Sequence, residues 1–328
     1  MSPPPAPGTR GISRRDFLAT SAVVALGAGA INAGCNSLEK KPAQRETIID
    51  IHQHVNYAGR SNTVLLAHQR AMGVSKTILL PAGRPLDRPS TNHAASNGLE
   101  ARCFGNEECY QFSKEHRDEF AFAANEVPDI PEAVEEIEKY LKLGAVAIVE
   151  QKFGIDCDST DMQRLYELAA EYRVPILMHW QYQRFNYGFE RFYKMLEKFP
   201  QTNFIGHAQT WWANIDAAYQ DNAKNLYPRT KVTVGGLTDR YLRDYPNMYG
   251  DLSAGSGLNS MKRDEEHARA FLHRHQDKLI YGSDCDDLVG SGDPCQGAQT
   301  IAEIRRLVPE IRVRRKLFSE NARRVFRV

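Results

Sequence analysis

The chain has 328 residues, with 42% hydrophobic and 25% charged residues and a formal net charge of +1. Such a composition can bury a large core, which excludes general disorder and fits one large α/β domain or two smaller ones. Near-neutrality gives no basic face for nucleic acid, and six cysteines (Cys35, Cys103, Cys109, Cys157, Cys285 and Cys295) form neither a dense disulfide scaffold nor a close CxxC metal knuckle.

Residues 1–45 read as an address. Arg10, Arg14 and Arg15 precede an apolar, small-residue run from Phe17 to Ile31, the layout of a secretory signal. Ser13-Arg14-Arg15-Asp16-Phe17-Leu18 resembles a twin-arginine signal, which implies the twin-arginine export machinery as partner and the bacterial periplasm as destination. Ala33-Gly34-Cys35 resembles a lipoprotein cleavage box that would place a lipid anchor on Cys35; Asn32 departs from the usual aliphatic residue, and an ordinary cleavage site near Ala30 to Gly34 is the alternative. The apolar run, roughly 15 residues, falls short of the about 20 that span a bilayer.

From Thr47 onward, short apolar runs alternate with segments of helical periodicity, the pattern of repeated βα units. Strands are expected at Ile48–His52, Lys76–Leu80, Phe120–Ala124, Ala145–Val149, Ile176–His179, Asn203–His207, Met248–Leu252 and Leu279–Ser283. Helices are expected at Ile130–Leu143, at Asp161–Tyr172 with Asp161 as cap, at Phe189–Phe199 and at Asp264–His275. No linker interrupts residues 46–328, so the expectation is one (β/α)8 TIM barrel behind an export signal. The insertions Arg84–Glu108 and Ala208–Gly236 would lie at the C-terminal mouth of that barrel, where they would shape a substrate pocket.

Polar residues collect at the predicted strand ends. Asp50-Ile51-His52-Gln53-His54 closes the first strand, and the i, i+2 spacing puts both imidazoles on one face of an extended chain, where two ligands can share an ion. Glu150 follows strand four, His179 strand five, His207 strand six and Asp284 strand eight. In a parallel barrel all of these converge on one mouth.

With these residues in this order, the chain resembles the amidohydrolase superfamily, in its amidohydrolase-related branch. The likeness runs through Ile49 to His54, Val174 to His179, Ile205-Gly206-His207 and Tyr281 to Asp284, with Tyr249 to Ser253 and Asn321 to Phe326 agreeing further. It implies a divalent ion on His52, His54 and His179, with Asp284 as ligand and proton acceptor. His207 would hold a second ion or polarise the reacting water. Neutral imidazoles and a carboxylate suit zinc in first place, with manganese or iron as alternatives. Glu150 would bridge two ions; Lys152, two residues on, and a purely structural ion pair are the alternatives, so one or two ions remain open.

Trp180 and Trp211 are candidates to floor a substrate pocket, and Arg184 and Arg240 to pair with a substrate carboxylate, with aromatic packing the other reading of the tryptophans. His68 and His273 are assigned to packing or surface, His267 and His275 to a solvated helix, and Cys285 to a side chain turned away from Asp284. The leading function is hydrolysis of a C–N, C–O or lactone bond of a small molecule by metal-activated water. Nonoxidative decarboxylation of an aromatic or semialdehyde acid is the second, and a noncatalytic binding barrel the third. Substrate identity and any homo-oligomer lie beyond the sequence.

Overall fold

The structure, a computed structural model, describes residues 46–84, 103 and 105–328. The export signal, Cys35, His93 and most of the Arg84–Glu108 insertion lie outside the described residues. Eight parallel strands appear in the expected places: β1 (Ile49–Gln53), β2 (Lys76–Leu79), β3 (Phe120–Phe122), β4 (Ile148–Gln151), β5 (Ile176–His179), β6 (Phe204–His207), β7 (Met248–Asp251) and β8 (Leu279–Ile280). They pair in sequence order as two runs, β1 to β3 and β4 to β8. Backbone bonds join the runs at both seams. Val146 N donates to Phe122 O and Val149 N to Ala124 O on one side, and Ile51 N donates to Tyr281 O on the other, which closes the ring into a barrel.

Around the strands lie α1 (Asn62–Met72), α2 (Asn106–Glu115), α3 (Ala133–Lys142), α4 (Thr160–Tyr172), α5 (Tyr193–Lys198), α6 (Ala208–Ala213), α7 (Leu237–Asp244), α8 (Ala254–Lys262), α9 (Glu265–Arg274) and α10 (Gln296–Leu307). Among the described residues no helix is long and apolar enough to cross a membrane. The expected cap of α4 shifts by two residues, because Ser159 accepts the Met162 N–H while Asp161 in the first turn pairs with Arg164 at 2.6 Å. The helix expected from Ile130 begins only at Ala133, since Pro131 and the turns around it come first. Phe189–Phe199 divides into a 3-10 turn, Phe189–Arg191, followed by α5.

Alternation within the strands divides the core in two. Ile49, Ile78, Ala123, Ala147, Leu177, Ile205 and Ile280 fill the barrel interior above Val325 and Phe326, while Ile148, Ile176, Phe204, Met248 and Leu279 face the helices. Two strands depart from regular register beside the site. β1 slips between Asp50 and Gln53, and β4 between Ile148 and Gln151. Such irregularities re-aim side chains. They let Ile51 and Val149 belong to the inner cluster while the next residues, His52 and Glu150, reach the mouth together. Glu150 therefore lies inside β4, not after it.

Candidate metal centre

His52, His54, Glu150, His179 and His207 are all buried, and Asp284 retains 13% side-chain exposure at the mouth. Strand register accounts for much of this. His179 stands opposite His207 in the β5–β6 pairing, and the Asp284 N–H donates to the His52 carbonyl at 2.8 Å, tying the residue after β8 to β1. Ala208, Ala254 and Asp284, just past β6, β7 and β8, all adopt left-handed backbone conformations with φ of 78°, 61° and 42°. Each costs about 1–2 kcal/mol for an L-residue, and such strain concentrates where geometry is held for function.

Glu150 divides its carboxylate between two pairs of imidazoles. Oε2 lies 3.8 Å from His52 Nε2 and 3.9 Å from His54 Nε2. Oε1 faces His207 Nε2 at 3.6 Å and bonds to His179 Nδ1. Asp284 repeats the division, with Oδ1 3.7 Å from both His52 Nε2 and His54 Nε2, and Oδ2 3.6 Å from His207 Nε2. His52, His54 and Asp284, and again His52, Glu150 and His207, can each surround an ion. His52 Nε2 and His179 Nε2 are buried without a hydrogen-bond partner among the described residues.

Neighbouring groups fix which ring nitrogen faces the centre. Asp251 Oδ2 lies 2.7 Å from His52 Nδ1 and 3.2 Å from His207 Nδ1, and Ser253 Oγ donates to the same carboxylate oxygen at 2.7 Å. His54 Nδ1 bonds to Leu80 O at 2.8 Å, so its proton belongs there and Nε2 carries a lone pair. Burial, and then the charge of His52, push His54 down to about 4. Burial likewise takes His179 down to about 4 although Glu150 opposes it, so both are neutral and able to ligate at pH 7. Burial also disfavours charge on His52, yet Asp284 and Asp251 outweigh it and raise the ring to about 10.

A cleft of about 570 Å3 opens over Asp284, His179 and His207, and its wall includes Tyr57, Lys152, Arg229, Lys262 and Gln296. Tyr57 OH donates to Asp284 Oδ1 at 3.0 Å, and that carboxylate together with burial holds the phenol well above its ordinary pKa. Cys103 is close enough that burial, Asp284 and Glu150 raise its thiol. Lys152 lines the cleft with its ammonium over the Phe185 ring, which places it beside the centre and not between the imidazoles.

Four sequence-assigned substrate residues fall outside the cleft wall. Trp211 is fully buried because it lies on Gly206, where an added Cβ would sit 2.3 Å from the indole. Trp180 packs between Phe189 and Phe192 at 5.1 and 4.9 Å. Arg184 is exposed and stacks over Phe185, and Arg240 is exposed on α7. Two histidines also change places. His267 and His275 are buried, the latter against Asp239 at 2.5 Å, because α9 presents that face inward. His68 is buried beside Cys285 and Asp287. His273 is half-exposed near Glu310, as expected of a surface residue.

Comparison with known proteins agrees with the fold. A probable 2-pyrone-4,6-dicarboxylic acid hydrolase of Acinetobacter baumannii, crystallised with citric acid, superposes with a TM-score of 0.54 at 13% identity over 86% of this chain and 99% of that one. The 2,6-dihydroxybenzoate decarboxylase of Rhizobium gives 0.55 at 15% identity over 86% and 99%. The 5-carboxyvanillate decarboxylase of Novosphingobium aromaticivorans, complexed with manganese and 4-hydroxy-3-methoxy-5-nitrobenzoic acid, gives 0.51 at 16% over 80% and 79%. These are likenesses of fold. A search of the curated proteins finds no match. Residues 49–328 match the amidohydrolase family, and the chain belongs to it.

Proposed function

We propose that this protein is a metal-dependent hydrolase of a small carboxylate-bearing molecule, whose two divalent ions would be held by His52, His54, Glu150, His179, His207 and Asp284. The observation that carries the reading is the division of the Glu150 oxygens, one toward His52 and His54 and the other toward His179 and His207. The donor set fits. Its atoms are buried, His52 Nε2 has no hydrogen-bond partner among the described residues, and imidazole with carboxylate suits zinc first and manganese next. Divalent ions held there supply Lewis acidity, which polarises a carbonyl and lowers the pKa of water.

The chain's own residues do the rest. Asp284, which Tyr57 orients, accepts a proton and returns it to the leaving group. Lys152, Arg229 and Lys262 place three cations along the cleft, where a substrate carboxylate would be bound. Nonoxidative decarboxylation is the second reading. The same three cations favour it, since its substrate is an acid, and Asp284 could protonate the carbon that loses carbon dioxide.

The test uses purified protein loaded with zinc or manganese against carboxylate-bearing lactones, esters and amides and a panel of aromatic acids. Two ions in the imidazole and carboxylate set and hydrolysis are expected, with Glu150→Gln retaining at most one ion in that set and losing at least tenfold in kcat. Carbon dioxide release without hydrolysis would install the second reading, and full activity with a single ion in that set would remove the bridging role.

A further inference from the structure

Behind Asp284, away from the cleft wall, a second set of metal-ligating side chains converges. His68 on α1 and Cys285, Asp287 and Cys295 between β8 and α10 bring four donor atoms within 4.8 Å of one another. His68, Cys285 and Cys295 are buried, and the Asp287 side chain is 11% exposed. The two sulfurs lie 3.8 Å apart, each sulfur 3.7 Å from His68 Nε2, and Asp287 Oδ2 2.9 Å from the same nitrogen.

Those separations are close to the edges of a zinc tetrahedron. Bonds of about 2.3 Å to sulfur and about 2.1 Å to nitrogen or oxygen require S···S of about 3.8 Å, N···S about 3.6 Å and N···O about 3.4 Å. Of these four edges, the His68–Asp287 one must open, by about half an ångström. The donor atoms are turned toward one another by their local bonds. Cys295 caps α10, its sulfur accepting the Ala298 N–H at 3.3 Å. Asp287 Oδ1 is committed to the amides of Val289 and Gly290 at 2.9 and 2.8 Å, which leaves Oδ2 for the cluster. Gly290, at φ of 71°, presses on the His68 carbonyl so closely that a Cβ would stand 2.3 Å from it.

We propose that His68, Cys285, Asp287 and Cys295 bind a structural zinc ion, separate from the catalytic centre, that staples the segment after β8 to α1. Thiolates select zinc over harder ions. Because Cys285 adjoins Asp284 and its carbonyl receives Gln53 Nε2 at 3.1 Å, the staple sets where the cleft carboxylate stands. The inference holds whether the enzyme hydrolyses or decarboxylates.

The catalytic set of imidazoles and carboxylates contains no sulfur, so cobalt(II) separates the two sites. Full-length protein produced with cobalt in place of zinc should show thiolate-to-cobalt charge-transfer absorption in the near ultraviolet. Cys295→Ser and Cys285→Ser should abolish it, and Cys103→Ser should leave it intact. Should the variants fail to fold, X-ray absorption of zinc-loaded wild-type protein must find sulfur at about 2.3 Å. A spectrum without thiolate absorption, absorption that survives Cys295→Ser, or a Cys285–Cys295 disulfide in protein that retains no sulfur-ligated metal would overturn the proposal.

Discussion

Asp251→Asn should weaken metal binding roughly 10- to 100-fold while leaving the barrel folded. The structure dictates which way the amide turns. Asp251 Oδ1 accepts the Ser253 N–H at 3.0 Å, so the asparagine oxygen stays there and its NH2 takes the place of Oδ2, opposite His52 Nδ1 at 2.7 Å. A donor now faces that nitrogen, and the His52 proton moves to Nε2, the atom 3.7 Å from Asp284 and 3.8 Å from Glu150. The buried charge-assisted bond to His52, worth about 1.5–3 kcal/mol, is lost, and the longer contact with His207 at 3.2 Å is weakened with it. At about 1.4 kcal/mol per factor of ten, that is one to two decades in affinity. Competition against a chelating indicator, with circular dichroism to verify folding, measures it. Affinity within twofold of the unsubstituted protein would refute the tautomer argument, and Ser253→Ala, which removes the hydroxyl's bond to Asp251 and its contact with His207 Nδ1 at 3.0 Å but leaves the Asp251–His52 pair, should cost less.

Three further expectations follow from other parts of the molecule. Gly206→Ala drives a methyl into the Trp211 ring and should lower stability by about 1–3 kcal/mol, read as a drop in Tm; an unchanged Tm means α6 shifts freely. Asp239 is held down at about 2, where burial would raise it but His275 and Arg274 prevail, so its contribution is complete above its ordinary value of 3.8 and is lost as pH falls toward 2. Asp239→Asn should remove about 2 kcal/mol at neutral pH and flatten the acid limb of the unfolding profile between pH 4 and 2. Replacing Arg14 and Arg15 together by Lys should abolish export, followed by fractionation of cells; periplasmic protein in undiminished amount would dispose of the twin-arginine reading.

The barrel was legible because each strand carries its apolar run between helical periods, and β5 was placed to the residue. The candidate ligands were legible because strand ends point one way in a parallel ring. Positions that depend on departures from regularity were not. Glu150 was assigned just beyond β4 since strict alternation does not anticipate a slipped register. Arg229 and Lys262 enter the cleft through the β6 insertion and α8, whose course no periodicity fixes. Asp251 and Ser253 lay within a motif already noted, but their bonds to two imidazoles needed β7 brought together with both β1 and β6 in space. His68 and Cys285 are 217 residues apart, so no local spacing could have linked them.

The seam between β8 and β1 bears on how the protein is made. Asp50 Oδ1 accepts the Ser283 N–H at 2.9 Å across 233 residues of chain. At synthesis rates of about 5–20 residues per second, the first imidazoles wait on the order of ten to fifty seconds for Asp284 to leave the ribosome. During that interval β1 has an open edge, a hazard for mispairing, and the centre lacks one of its carboxylates. A nascent chain that stops before β8 is therefore a sheet without a closing strand, and chaperone protection should matter most in the final stage of elongation.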